Sequence, residues 1–299
     1  MSNALSDKTK NQIEKLSDLI QNKFIDLKNS FPKEYNLNEI ADAMWYSLMA
    51  GGKRIRPILT LEFCRVCGGD VNNALSAACA LEMIHTFSLI HDDLPCMDDD
   101  DMRRGKPSCH KAYGEAMALL AGDALLNYAY QLIADDESIS FETRIKLISD
   151  LSKSVGVVGM IGGQVIDTTY SGGFNDETLL DMYSMKTGAL LKTACKMGCI
   201  AAKADAHKIK SAESFAEKLG LAFQIIDDIL DISGDEKLLG KPIGSDAESG
   251  KVTYASLNGI EKSREFARRL TEEALEMLDE FENNELLKEL TRYLLNRDY

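Results

Sequence analysis

The chain has 299 residues, a net charge of −14 and 45% hydrophobic residues. That is a normal globular core with an acidic surface, which argues against phosphate-backbone binding, so no nucleic-acid partner is expected. It equally disfavours an anionic membrane surface. No stretch of low complexity and no repeat of 20–50 residues is evident, so one domain over 1–299 is expected.

The elements read as helices from end to end. Ile13, Leu16, Leu19, Ile20, Phe24 and Leu27 keep one face of a first helix. Asn36 or Asn38 caps a second, carrying Ile40, Met44, Trp45 and Leu48 and stopping at Gly51-Gly52. Pro57 opens a third to about Cys67, closed by Gly68-Gly69. A fourth runs from about Asn73 to Asp93, where Pro95 forbids its continuation. A fifth follows Pro107, and a sixth spans about Phe141 to Met160. Another runs from near Asn175 to about Ala202. The next goes from Asp205, a possible N-cap, to Asp231 with Gly234 as its stop. Leu257 to Tyr293 forms one or two more. All five prolines lie at these junctions, and alternating β-type runs are absent. The stretches Leu119–Ala129 and Gly188–Ala202 are apolar all round, as bundle-centre helices are. The expected fold is all-α, a single large bundle of about ten or more helices around a central cavity.

The seven cysteines are odd in number and scattered. Without a second ligand pair at finger-like spacing they are read as reduced, packed thiols, hence a cytoplasmic protein. The N-terminus lacks the apolar region of a signal peptide, and no apolar run approaches the ~20 residues of a membrane span.

Two acidic stretches carry the chemistry. Six of the ten residues Asp92–Asp101 are aspartate, at a helix C-terminus where the macrodipole already disfavours each carboxylate by roughly 0.3–1 kcal/mol. Something cationic must neutralise them. An all-oxygen donor set points to Mg²⁺, Mn²⁺ or Ca²⁺. The second stretch is Asp227-Asp228-Ile229-Leu230-Asp231, after an apolar run, with Asp227 and Asp231 one turn apart on one face. Exposed acids at a helix end are the bland alternative for this second motif. Two such motifs in one chain favour a shared site, where a diphosphate bridges several divalent ions. Basic residues fit an anionic ligand: Lys53, Arg54 and Arg56 in a turn opening a helix, then Arg103-Arg104, Lys186 and Lys241. Singly, each such cation is more often a solvated surface residue. Walker A, EF-hand, H-E-x-x-H and G-x-S-x-G patterns all fail on spacing. His85 lies seven residues before Asp92 on the same face, a core histidine or a phosphate donor. His91, His110 and His207 show no pattern.

The motifs GGKRIRP (51–57), DDLPCMD (92–98) with DDDMRRGKPSCH after it, GQVID (163–167), MKTGALL (185–191), FQIIDDILD (223–231) and LGKPIGSD (239–246) resemble those of the trans-polyprenyl diphosphate synthases, more closely the bacterial farnesyl diphosphate synthases. The resemblance covers about residues 12–297. It implies a helical bundle with both aspartate motifs at the cavity mouth, usually as a homodimer. It implies three Mg²⁺ ions, with Mn²⁺ as the alternative, held by Asp92, Asp98 and Asp227, with Asp231 as a further ligand. Arg103, Lys186, Thr187, Gln224 and Lys241 would grip an allylic diphosphate. Lys53, Arg56, His85 and Arg104 would hold isopentenyl diphosphate. The expected reaction is chain elongation to farnesyl diphosphate, with geranylgeranyl diphosphate as the alternative product. Chain length would be set on the helix below Asp92. Phe87, five residues before it, is bulky where this family often stops growth at fifteen carbons. Ser88, four before, is small and lies nearer the Asp92 direction by helical period. A terpene cyclase would not need the GGKRIRP site, and a non-catalytic metal-binding helical subunit would lose one aspartate motif.

Overall fold

The computed structural model describes residues 5–32, 37–170, 173–233 and 251–295. Among these, regular structure is helical apart from one two-residue ribbon. The helices are α1 Asp7–Ser30, α2 Asn38–Leu48, α3 Ile55–Val66, α4 Asn72–Asp92, α5 Cys109–Tyr113, α6 Glu115–Ala134, α7 Phe141–Val155, α8 Met160–Thr169, α9 Asp176–Tyr183, α10 Ala189–Ala201, α11 Ala206–Ser233, α12 Tyr254–Asn258, α13 Ile260–Met277 and α14 Glu285–Leu295. A π-helical turn, Ser184–Gly188, joins α9 to α10.

The core is built on α4, which packs against α3 and α6, and on α10, which packs against α3, α7 and α11. Over its 21 residues α4 is long and apolar enough to cross a membrane, which the sequence reading missed, but 72% of its most apolar window is buried inside the protein. It is a core helix. Close approach of α10 to α3 depends on Gly198, where a Cβ would sit 2.3 Å from the Thr60 carbonyl oxygen.

Several boundaries differ from expectation for local reasons. The helix expected over Phe141–Met160 stops at Val155, because the Gly156–Gly159 stretch breaks it, and α8 starts afresh. The helix after Pro107 is two, divided at Gly114, whose φ is +85°. Met102–Arg103 pairs antiparallel with Lys106–Pro107 around Gly105, a hairpin too short to show as alternation. The α3 helix starts two residues before Pro57, and Leu37 rather than Asn38 is the α2 N-cap. The last segment is α12, α13 and α14. Leu119 and Leu120 are 45% and 50% exposed, so α6 is buried along one face, Ala118, Ala121, Gly122, Leu125, Ala129, Leu132 and Ile133. Asp205 does cap α11, accepting from the Lys208 amide at 2.9 Å. Asn36 and Gly234 lie outside the described residues. All seven cysteines are free thiols, with the Cys67 and Cys199 sulfurs 3.6 Å apart.

Candidate active site

The first aspartate motif is built by the end of α4. Asp92 is its last residue and Asp93 its C-cap. The chain then turns, with the Leu94 carbonyl accepting from the amides of Met97 (2.8 Å) and Asp99 (3.2 Å). The turn returns the Asp98 amide to the Asp92 carbonyl at 2.8 Å. The four residues between Asp93 and Asp98 therefore have a geometric purpose. They let the loop satisfy a helix-terminal carbonyl and set the Asp98 carboxylate beside that of Asp92. Burial, reinforced by Asp98 and Asp93, pushes the Asp92 carboxyl up to about 6, against the opposing pull of Lys186 and Arg103. A half-buried carboxylate held that far above its ordinary range, beside a second one, is an oxygen-donor pair short of positive charge. That donor chemistry fits a hard divalent cation such as Mg²⁺.

Asp93 faces the other way and is 2% exposed. Its carboxylate accepts from Arg103, the Nε contact being 2.9 Å, and Arg103 also donates to Asp100 at 2.8 Å. Burial raises the Asp93 carboxyl and the arginine opposes the shift. In this arrangement the Arg103 guanidinium fastens its own loop to the end of α4. Behind this pairing a small cleft opens, lined by Tyr46, Thr86, Asp93, Arg103, Arg104 and Pro107 among others.

The basic turn is anchored from below. Arg54 adopts φ +50° and is 8% exposed. It donates to Glu82 Oε1 and to the Leu48 carbonyl, each at 2.5 Å. Arg104 crosses the turn, 3.8 Å from the same Glu82 and 2.5 Å from the Gly51 carbonyl. Gly52 is required there, since its φ is +118° and a Cβ would lie 2.8 Å from the Arg104 Cζ. Arg56 Nη1 lies 3.5 Å from His85 Nε2, and its Nε is buried without a hydrogen-bond partner. Burial, then the charges of Arg56 and Arg104, hold His85 well below its usual value, so it is neutral. Burial likewise lowers Arg56 and Arg104. Two crowded guanidiniums, one with an orphaned donor, have the chemistry that suits an anion. Lys53, in the same turn, is exposed.

The second motif lies on α11. Asp228 and Asp231 are both 2% exposed, and Asp227 is half-buried. Asp228 accepts from the Tyr183 hydroxyl (2.6 Å), the Tyr254 amide (3.1 Å) and Gln224 (3.3 Å). Thr187 donates to Gln224 at 3.1 Å. Next to Thr187, Lys186 donates to Asp167 on α8 at 2.5 Å, and its charge acts on Asp92. The π-helical turn thus offers one side chain to each motif. A second link is Lys251, whose Nζ is 3.7 Å from Asp98. Three residues on, the Tyr254 amide meets Asp228. Three residues span at most about 10 Å of backbone. With the lysine side chain and the two contacts added, this segment ties Asp98 to Asp228 over at most about 20 Å.

Lys241 and the rest of the 239–246 motif lie outside the described residues. Of the other expected residues, Asp92 ends α4 with Asp98 in the loop after it, and Asp227 and Asp231 lie on α11. Arg56, His85 and Arg104 meet near the α3 start, and Lys186 and Thr187 lie in the π-helical turn. Arg103 is turned onto Asp93 and Asp100 instead of being left open to a ligand. Sequence reasoning gave no role to Asp167, Asp228, Tyr183, Tyr254 or Glu82. GQVID was visible as a motif, but the Lys186 partner of its Asp167 depends on the close packing of Gly163. A Cβ there would sit 2.3 Å from the Lys186 backbone nitrogen. Nothing in the sequence marked Glu82 or Tyr254.

On α4, His85, Ser88, Leu89 and Asp92 keep partial exposure along one stripe. Phe87 is 6% exposed and turned aside, its ring edge-on to His91 at 5.2 Å. His91 in turn reaches the Leu119 carbonyl of α6 at 3.0 Å.

An all-helical bundle with aspartate stretches ending α4 and lying on α11, and buried guanidiniums beside the α3 start, has the architecture of the isoprenoid synthases. The polyprenyl synthetase family model matches residues 37–294, and the chain belongs to that family. It is 44% identical over 268 residues to the heterodimeric geranylgeranyl pyrophosphate synthase large subunit 1, chloroplastic, of Arabidopsis thaliana, covering 87% of this chain and 72% of that protein. It is 46% identical over 276 residues to a geranylgeranyl diphosphate synthase of Cyanophora paradoxa, covering 91% and 92%. The apo crystal structure of an FPP/GFPP synthase from Zymomonas mobilis superposes with a TM-score of 0.85 at 34% identity, covering 96% of this chain and 99% of that one. The resemblance at family level therefore holds. The curated relatives matched here are named for the geranylgeranyl product, and the solved neighbour for FPP and GFPP.

Proposed function

We propose that the protein condenses isopentenyl diphosphate with allylic diphosphates and releases geranylgeranyl diphosphate. The observation that carries the reaction type is the linkage of the two acidic motifs through Lys186-Thr187 and Lys251–Tyr254. Asp92, Asp98 and Asp227 would hold the Mg²⁺ ions, with Asp231 supporting Asp227 from the buried end of the motif. Bound Mg²⁺ supplies the Lewis-acid stabilisation of the departing diphosphate.

The chain's own residues do the rest. Lys186 and Thr187 present an ammonium and a hydroxyl where negative charge grows as the allylic C–O bond breaks. Such groups favour the transition state over the intact ester. Lys241 joins them in the proposal on motif grounds alone. Arg56, Arg104 and Lys53, with neutral His85, fix the second diphosphate. Its alkene is thereby held close to the forming allylic cation, and orientation replaces a bimolecular encounter. Apolar helix walls keep water from the cation. No side chain in these motifs is an obvious base, so the departed diphosphate takes the final proton.

The product length rests on the names of the relatives and on Ser88. A small residue on the Asp92 stripe leaves room for a fourth isoprene unit. The fifteen-carbon product is the second reading, favoured by the bulk of Phe87. Chromatography and mass analysis of products from isopentenyl and dimethylallyl diphosphates with Mg²⁺ test both. A C20 product supports the proposal, a C15 product returns the floor to Phe87, and no condensation rejects the reaction. A homodimer is proposed from the family pattern and from the open apolar side chains Leu119, Leu120, Phe141 and Ile145. One relative is named as the large subunit of a heterodimer, so the oligomer is to be measured on the purified chain by light scattering.

A further inference from the structure

Beyond the two catalytic nests, the loop after Asp98 brings together Asp99, Asp101 and His110. One ligand atom from each lies within 4.8 Å of the others. Consecutive aspartates diverge here. Asp98 turns toward Lys251 and Asp99 toward His110, with 3.9 Å between its Oδ1 and His110 Nε2.

Acidic loops often hold no ion, and the histidine is what sets this one apart. His110 is 6% exposed, and its Nε2 is buried without any hydrogen-bond partner. A buried imidazole nitrogen left unpaired is costly, and native proteins seldom leave one so. The other ring nitrogen is committed, since Nδ1 lies 3.0 Å from the buried Ser108 hydroxyl. When Nδ1–H donates to Ser108, Nε2 carries the lone pair, with a carboxylate oxygen of each aspartate within 4.8 Å. A hydrogen-bonded far nitrogen that fixes ring and tautomer is the usual support of a metal-binding histidine. The Ser108 amide in turn donates to the Asp101 carbonyl at 2.9 Å, so the same turn holds the serine and the aspartate. Both carboxylates are exposed, at 60% and 75%. Asp101 is at present paired with Lys111 at 2.7 Å, a surface contact of small value.

The geometry points to a binding site for a divalent first-row transition ion, Zn²⁺ or Co²⁺, with Asp99, Asp101 and His110 Nε2 as ligands. One nitrogen and two carboxylate oxygens are a set that suits these ions better than Mg²⁺, and three protein ligands plus water complete a tetrahedron. Binding displaces Lys111 from Asp101 and pins the loop that carries Asp98, Arg103 and Arg104. The site is separate from the catalytic nests, and its existence does not depend on which product the protein makes.

The test is Zn²⁺ uptake by the full chain in excess Mg²⁺, measured by equilibrium dialysis with metal analysis, and the visible absorption of bound Co²⁺. Wild type is expected to retain one Zn²⁺ against Mg²⁺. Asp99→Asn/Asp101→Asn, at exposed positions that should not disturb folding, and His110→Gln should each weaken it by at least about tenfold. Asp92→Ala/Asp227→Ala should retain it. No retained Zn²⁺ in wild type overturns the proposal. So does equal uptake by the Asp99→Asn/Asp101→Asn variant, or loss of the ion in Asp92→Ala/Asp227→Ala alone.

Discussion

Replacing Asp92 by asparagine removes a charge that the metal-free protein holds at a cost. Burial, with Asp98 and Asp93, raises its carboxyl from 3.8 to about 6. At 1.36 kcal/mol per tenfold, that corresponds to about 3 kcal/mol against the ionised folded state. The side chain keeps partial solvent contact, so the realised cost is about 1–2 kcal/mol. Asp92 titrates higher in the folded than in the unfolded chain. The cost is therefore absent below about pH 4, grows as pH rises to about 6, and stays constant above. Asp92→Asn is expected to unfold about 2–5 °C higher than wild type at pH 7.5 in chelator-treated buffer. The gain should roughly halve at pH 5. The same variant should lose most of its prenyl-transfer activity, separating stability from function. Differential scanning calorimetry at the two pH values, beside a product assay, is the measurement. An Asp92→Asn protein less stable than wild type at pH 7.5 without metal, or a gain that does not depend on pH, refutes the reasoning.

Three other outcomes are expected. Asp227→Ala should lower turnover by about 10³-fold or more while circular dichroism stays unchanged, and near-normal turnover removes Asp227 from the metal assignment. Ser88→Phe should shorten the product to fifteen carbons, and Phe87→Ala should leave product length unchanged. The reverse pattern by mass spectrometry makes Phe87 the floor. Glu82→Gln leaves buried Arg54 without its counter-charge and should destabilise by about 3–5 kcal/mol, read as a lower denaturant midpoint. A midpoint equal to wild type means Arg54 is satisfied by the Leu48 carbonyl alone.

Most of this was open to a reader of the sequence. Helix periodicity and five prolines at junctions gave the all-α fold, since an i, i+3, i+4 pattern and a missing amide are strictly local signals. The aspartate motifs were legible for the same reason: six acids in ten residues demand a counter-charge wherever they fold. What stayed hidden was long-range or turn-scale. The break at Gly156–Gly159 and the Met102–Pro107 ribbon depend on single glycines and a few backbone angles. Asp228 resembles Asp227 in sequence, yet it is tied to Tyr183 and Tyr254, 45 and 26 residues away. Helical spacing favoured Ser88 over Phe87 without deciding it, and the packing of Phe87 on His91 is a tertiary fact. His110 carried no sequence signal, because an orphaned nitrogen exists only once its surroundings are built.

The central claim is that both aspartate nests seize one diphosphate through shared divalent ions. A crystal structure with Mg²⁺ and an unreactive thio analogue of an allylic diphosphate examines it directly. The account predicts metal ions about 2.0–2.1 Å from oxygens of Asp92, Asp98 and Asp227, all joined to the same diphosphate. Ions on one nest only, with the diphosphate bound elsewhere, would contradict it.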